Sequence, residues 1–381
     1  MSHRKIQAAR LFDGTRFQED KVLIVAADGA IEAIVPADEA TDAEMLDGIL
    51  TPGFINCHCH LELSHMKGQI PEGTGLVDFV LRVISGRNER AANIPSAIAA
   101  AAEEMWHNGI MAVGDISNTA DTAARKRGDK LVYYNFVEVL GWAPAGAEAS
   151  YERALRVLED FAGCGPATLV PHASYTVSDA LWHLLRPHFP GHTISVHNQE
   201  TPDEDEFIAN GSGAFVGLYE KLKVNNTHHE PKGVSSLRSY FDKLEGAARR
   251  LLVHNTFIPE DDLHYALGST AAGSTYFCLC INANLYIENK VPPVELLRRS
   301  GAPIVLGTDS LASNWQLGIH EEMRSVRKHF PGVPLEELLQ WATLNGARAL
   351  QMENELGSFE KGKKPGVLLL QESDWSVRRI V

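Results

Sequence analysis

The residues that could do chemistry in this chain stand at the ends of apolar runs, and they are mostly imidazoles and carboxylates. In Phe54-Ile55-Asn56-Cys57-His58-Cys59-His60, side chains on a strand alternate faces, so His58 and His60 point the same way and can reach one metal ion. Cys57 and Cys59 fall on the opposite face. They read as small buried hydrophobes, which excludes a structural zinc made from all four neighbours. His197-Asn198-Gln199-Glu200 adds a third imidazole with a carboxylate just beyond it, and Asp309 follows the apolar run Pro303–Thr308. Taken singly, each has a plainer reading: a core or surface histidine pair, or an aspartate capping a helix. Three histidines and one aspartate together, with an open position for water, describe a catalytic zinc or ferrous site. Water on such an ion is acidified to a pKa of about 7, where it becomes a usable nucleophile.

The elements that must position these groups are legible as eight strand-length apolar runs: Leu50–Cys57, Ile110–Ile116, Leu131–Val139, Ala167–His172, Thr193–His197, Arg250–His254, Thr275–Cys280 and Pro303–Thr308. Helical patterns separate them. Ser96–Asn108 carries Ile98, Ala101, Ala102, Met105 and Trp106 at helical spacing with Gly109 as the stop; Tyr151–Phe161 has Ala154, Leu155, Leu158 and Phe161 on one face. Strands alternating with helices imply parallel pairing, and eight of them imply an α/β fold of the (β/α)8 TIM-barrel type. An open doubly wound sheet is the rival, but no glycine-rich phosphate loop follows an early strand. In a barrel the active site sits at the C-terminal ends of the strands. In order these ends offer His58 and His60, Asp115, Glu138, His172, His197, His254 and Asp309.

Both chain ends are β-rich instead. Lys21–Val25 and Ile31–Val35 are separated by Asp28-Gly29, and Gly366–Leu370 is a short apolar strand near the end. The expected organisation is a barrel over 51–355 and an accessory unit built from 1–50 plus 356–381. The segment Phe207–Tyr240 is long for a connection and reads as a lid or flexible insertion, with His228 and His229 as solvated loop residues.

Composition narrows the function classes. With 381 residues, 44% apolar and 22% charged, the chain can bury a substantial core. A net charge of −14 argues against a nucleic-acid binder. No stretch approaches a membrane span and no secretory leader is evident. Five thinly spread cysteines suit a reducing cytoplasmic compartment.

The motifs also carry a resemblance. Pro52-Gly53-Phe54 through Ser64 is similar to the first-strand signature of the amidohydrolase superfamily. Pro171–Ser178 and Gly307-Thr308-Asp309-Ser310-Leu311-Ala312-Ser313-Asn314 resemble its mononuclear deaminase branch, which holds methylthioadenosine/S-adenosylhomocysteine, aminodeoxyfutalosine and guanine deaminases and the triazine hydrolases. Asp13-Gly14 and Leu356–Lys363 extend the likeness almost end to end. The resemblance implies His58, His60, His197 and Asp309 as ligands of one divalent metal, zinc first and ferrous iron second. It implies Glu200 as proton shuttle, with Asp309 or Glu200 taking the water's proton, His254 as the histidine holding the attacking water or the substrate, and His172 as a substrate-facing histidine. It also implies that the chain ends form a small β-sandwich. Glu138, His65 and Asn284 are further candidate substrate contacts, Glu138 for a ribose hydroxyl or as a structural carboxylate. Cys280-Ile281-Asn282-Ala283-Asn284 departs from the usual Cys-Pro-x-Ser-Asn, keeping only Cys280 and Asn284.

Binuclear relatives bridge two metals through a lysine after the fourth strand. Here no lysine occurs between Lys130 and Lys221, so one metal is expected. The implied activity is hydrolytic deamination of an aminopurine nucleoside, with aminodeoxyfutalosine ahead of methylthioadenosine, S-adenosylhomocysteine and adenosine. The partner is then a small molecule, in a protein that could be a homo-oligomer. A guanine or cytosine deaminase or a dechlorinase is the alternative within the family, and a non-catalytic metal-binding scaffold is a remote one. The cytidine-deaminase type is excluded: His60-Leu61-Glu62 matches half its signature, but no Pro-Cys-x-x-Cys follows.

Overall fold

The structure is a computed structural model, which describes residues 3–89 and 91–381. Eight strands occupy the centre: Phe54–Cys59, Ile110–Ser117, Val132–Val139, Ala167–Pro171, Thr193–Asn198, Arg249–His254, Thr275–Leu279 and Ile304–Leu306. They pair in chain order as two four-stranded parallel sheets. Nearly every residue in them is buried, as expected where both faces of a parallel sheet are covered. Backbone bonds link the two sheets at both seams. The His197 amide donates to the His172 carbonyl (2.9 Å), and the Thr308 and Asp309 amides both donate to the His58 carbonyl (3.0 Å each). The approach at the second seam requires Gly307, where a Cβ would lie 2.8 Å from that of His58.

Helices connect successive strands. The two patterns read from sequence form Ile94–His107 and Ala147–Asp160, each starting earlier than its apolar periodicity suggests. Their first turns, Ile94-Pro95-Ser96-Ala97 and Ala147-Glu148-Ala149-Ser150, are short of large apolar residues. The expected run Leu50–Cys57 is divided at Gly53: Glu44–Pro52 belongs to the outer sheet and Phe54–Cys59 to the inner one.

The chain ends do meet. Val367–Leu370 pairs antiparallel with Glu44–Pro52, within one seven-stranded mixed sheet that also holds Arg4–Phe12, Phe17–Gln18, Lys21–Val25, Ile31–Pro36 and Val377–Arg379. Pairing joins all seven strands in one sheet. It encloses its own apolar cluster, including Ile6, Leu23, Leu50, Phe359 and Val367. The two outlying motifs of the sequence touch in this unit. Gly14, at φ +109°, leaves no room for a side chain against the Gly357 carbonyl, and the Phe359 amide donates to Asp13 O (2.8 Å).

The segment Phe207–Tyr240 is not a plain loop. It holds the end of helix Pro202–Asn210, helix Ala214–Leu222 and the short helix Ser236–Tyr240. Phe207, Phe215, Leu218 and Tyr219 bury themselves against Tyr175 and against helix Leu76–Gly86, in a cluster separate from the main core. The sequence pattern missed this because two glycines, Gly211 and Gly213, interrupt the helical period. His228 is exposed as expected. His229 is half-buried, with its Nε2 2.9 Å from the Phe207 carbonyl. Among the described residues, no helix is long and apolar enough to cross a membrane.

Candidate metal and catalytic site

His58, His60, His197 and Asp309 are brought together, all buried, at the C-terminal ends of the first, fifth and eighth central strands. The Nε2 of His60 lies 3.2 Å from that of His58 and 3.3 Å from that of His197. Asp309 Oδ1 is 3.5 Å from His58 Nε2 and 3.4 Å from His60 Nε2. His60 Nε2 thus meets two ring nitrogens and a carboxylate oxygen at once, more partners than a single N–H could serve. Separations of this size are what donors show when each sits about 2.0–2.2 Å from a common ion. Burial lowers the pKa of all three rings, that of His60 to about 3. The rings are therefore neutral, and their approach to Asp309 is a set of ligand atoms, not of ion pairs. The donor set fits a divalent metal.

Two of the ligands, His197 and Asp309, are aimed by a second contact of the side chain. His197 Nδ1 faces the His172 carbonyl at 3.0 Å. A carbonyl brings no proton, so Nδ1 carries it and Nε2 is left free. Ser313 Oγ donates to Asp309 Oδ2 (2.5 Å), leaving Oδ1 for the ion. Below the cluster, Asp115 Oδ1 accepts from the Leu61 amide (2.8 Å), fixing the backbone just after His60, while Lys126 Nζ neutralises its other oxygen at 2.5 Å. Both side chains of that pair are fully buried. Asp115 is thus a foundation of the site, not part of its mouth.

Glu200 and His254 face the same centre, with Glu200 Oε2 3.5 Å from His254 Nε2. Burial, then the nearby charges of Asp309 and Glu288, push the Glu200 carboxyl well above the usual carboxylate range. Such a group holds a proton more readily than an exposed carboxylate does, as a proton carrier must. The Glu200 backbone is pinned by Glu204, whose carboxylate accepts from the amides of Gln199 (3.1 Å) and Glu200 (2.7 Å). His254 (φ +72°) and Asp309 (φ +56°) both lie in the left-handed region, strain of a kind that gathers at functional sites.

The remaining candidates divide. His172 and Glu138 line the same cavity of about 340 Å³ as the ligand cluster. The Glu138 Oε2 accepts from Asn118 Nδ2 (2.9 Å), while Oε1 is buried without a hydrogen-bond partner. Burial raises the pKa of Glu138 to about 8. Asn284 and His65 do not line the cavity. Asn284 Oδ1 receives His254 Nδ1 at 3.0 Å, and its amide nitrogen is spent on Thr256. It is a positioning residue for His254. The His65 ring lies between the carbonyls of Glu62 (3.2 Å) and Arg87 (2.9 Å), tying the loop after the first strand to the end of helix Leu76–Gly86.

Sequence reasoning passed over Lys126, Glu204 and Ser313. Two of these left a trace. Thr201-Pro202-Asp203-Glu204 has the form of a helix capping box, and Ser313 lies inside the motif that carries Asp309. Lys126 left none.

The chain belongs to the amidohydrolase family, which matches residues 49–374. It is similar to an aminodeoxyfutalosine deaminase of Deinococcus radiodurans, 27% identical over 324 residues, covering 81% of this chain and 74% of that protein. A 5-methylthioadenosine/S-adenosylhomocysteine deaminase of Symbiobacterium thermophilum is 28% identical over 378 residues, 92% of this chain and 80% of that one. Among solved structures, the fold matches that of Helicobacter pylori aminofutalosine deaminase in complex with methylthio-coformycin. There the TM-score is 0.78 at 24% identity, covering 97% of this chain and 92% of that chain.

Proposed function

We propose that this protein is a mononuclear metal-dependent deaminase of adenine nucleosides, releasing ammonia from the six-position of the purine. The observation that carries the reading is the convergence of three imidazole Nε2 atoms and Asp309 Oδ1 beside a protonatable Glu200. The relatives, which are named for deaminating adenosine-like nucleosides, supply the substrate class. We also infer that the two parallel sheets close into one (β/α)8 barrel over 51–355. On the same reading, the sheet of 1–50 and 356–381 wraps its cluster as a small sandwich.

His58, His60, His197 and Asp309 would hold the ion, zinc by the preference of a three-nitrogen, one-oxygen set, with ferrous iron second. When bound, it supplies a water acidified enough to attack at neutral pH. Glu200 accepts a proton from the nucleophile and delivers it to the ring nitrogen next to the amine-bearing carbon, which makes that carbon electrophilic. His254, with Nδ1 engaged by Asn284, presents a bare Nε2 that holds the nucleophile's proton. Once it has taken the nucleophile's second proton, the same nitrogen donates to the developing oxyanion and then passes that proton to the amine, so that the C–N bond breaks and ammonia leaves. Glu138 and His172 line the cavity and are placed to bind the substrate, Glu138 as a hydrogen-bond partner of a sugar hydroxyl.

The test is a UV deamination screen of adenosine, methylthioadenosine, S-adenosylhomocysteine, aminodeoxyfutalosine, guanine and cytosine. An adenine nucleoside is expected to give the highest kcat/KM. Guanine or cytosine exceeding every adenine nucleoside would remove the nucleoside reading and favour a bare-ring deaminase.

A further inference from the structure

The cavity has two kinds of wall. Around the ligand cluster it is polar, with Asn118, Glu138, His172 and Glu200 facing inward. Farther out it is almost wholly apolar. Helix Leu76–Gly86 presents Leu76, Phe79, Val80, Val83 and Ile84 to the cavity, the i, i+3, i+4, i+7, i+8 stripe of one helical face. Opposite stand Leu218 and Leu222 of helix Ala214–Leu222, then Val224, with Leu140 at the side. Ile84 and Leu140 remain 46% and 40% exposed, so this surface is left open to whatever enters.

Among the described residues, one cation lines the cavity, Arg87. It is already spent. Its Nη2 is 2.8 Å from Glu62 Oε1, and its Nη1 reaches Asn118 Oδ1 at 3.4 Å. A carboxylate entering the outer cavity would lose water without gaining a free positive partner, which is costly. An alkyl or aryl group would gain by leaving water.

We propose that the outer cavity selects substrates whose sugar end bears an uncharged apolar tail longer than a methyl group, and disfavours tails that carry a carboxylate. This rests on the adenine-nucleoside reading of the inner site. In a purine the amine-bearing carbon and the sugar-bearing nitrogen lie on opposite sides of the ring. With the amine at the ligand cluster, the tail points outward between the two helices. The consequence reverses the order expected from sequence. Thioethers of the methylthioadenosine kind come ahead of S-adenosylhomocysteine, whose tail is zwitterionic, and ahead of aminodeoxyfutalosine, whose tail ends in a carboxylate.

The experiment measures kcat/KM on the metal-loaded protein for adenosine and for 5′-thioadenosines bearing methyl, propyl, butyl and carboxyethyl tails. The expected gain is about fourfold per added methylene over the first few, with carboxyethyl at least about tenfold below propyl. In Ile84→Lys and Leu140→Lys, changes at half-exposed positions, the carboxyethyl-to-propyl ratio should rise by about tenfold. Equal kcat/KM across all tails, or a wild-type preference for the carboxylate, overturns the proposal and leaves the deaminase reading standing. No turnover of any adenine nucleoside, with turnover of another amino-heterocycle, overturns both.

Discussion

The inner site and the outer wall of the cavity are built from different materials. At the inner site the functional groups gather at strand ends, and three of them have their second polar atom taken: His197 by the His172 carbonyl, Asp309 by Ser313, His254 by Asn284. The outer wall is two helices packed on each other in a cluster of their own, apart from the main core. One region is fixed by directional bonds and the other by apolar contact alone. The difference separates two jobs. Chemistry needs rings held to a fraction of an ångström, while choice among tails needs only a surface that excludes water and can be altered without disturbing the ligands.

That separation can be broken or sharpened by mutation. The largest effect belongs to Glu200→Gln, expected to lower kcat by at least about a thousandfold. The ion should remain, because Glu200 is not a ligand; kinetics beside elemental analysis checks both, and full activity would sink the role. Lys126→Met comes next. It leaves Asp115 buried without its counter-charge beneath His60–Leu61, a change costing about 3–5 kcal/mol. Chemical denaturation should show it as a lower midpoint, and an unchanged midpoint would mean that Asp115 does not depend on the pair. Asn284→Ala should lower kcat about 10- to 100-fold with metal content unchanged, because it frees the His254 ring. If Asn284 instead touched substrate, KM would carry the loss. Leu222→Ala is the smallest, raising KM for methylthioadenosine about two- to fivefold while kcat stays within about twofold. A matching fall in kcat would show that the outer wall and the inner site are coupled.

The same divide explains what the sequence made legible. His58 and His60 were readable because a strand sends alternate residues to one side, and Asp309 because it follows an apolar run inside a recognisable motif. Those are local rules. The outer wall obeys none of them: Leu76, Phe79, Val80 and Val83 have the spacing of any core-facing helix, and nothing in that spacing says that the face lines a cavity. Asn284 and His65 show a second limit. Both are polar and close in sequence to functional positions, but the direction of each side chain depends on contacts from distant segments, Thr256 and His254 for one and Arg87 for the other. Lys126 was silent because its partner, Asp115, lies on another element. The single seven-stranded sheet of the chain ends likewise depends on pairing between strands more than 300 residues apart.

The central claim is that one ion, held by His58, His60, His197 and Asp309, serves deamination. Its most direct measurement is a metal titration: strip the protein with a chelator, then add zinc in steps while following deamination of methylthioadenosine and bound metal together. Activity should be absent at the start, rise in proportion to bound zinc and level off at about one ion per chain, as a single complete donor set requires. A plateau at two ions, or turnover by the stripped protein, would contradict the account.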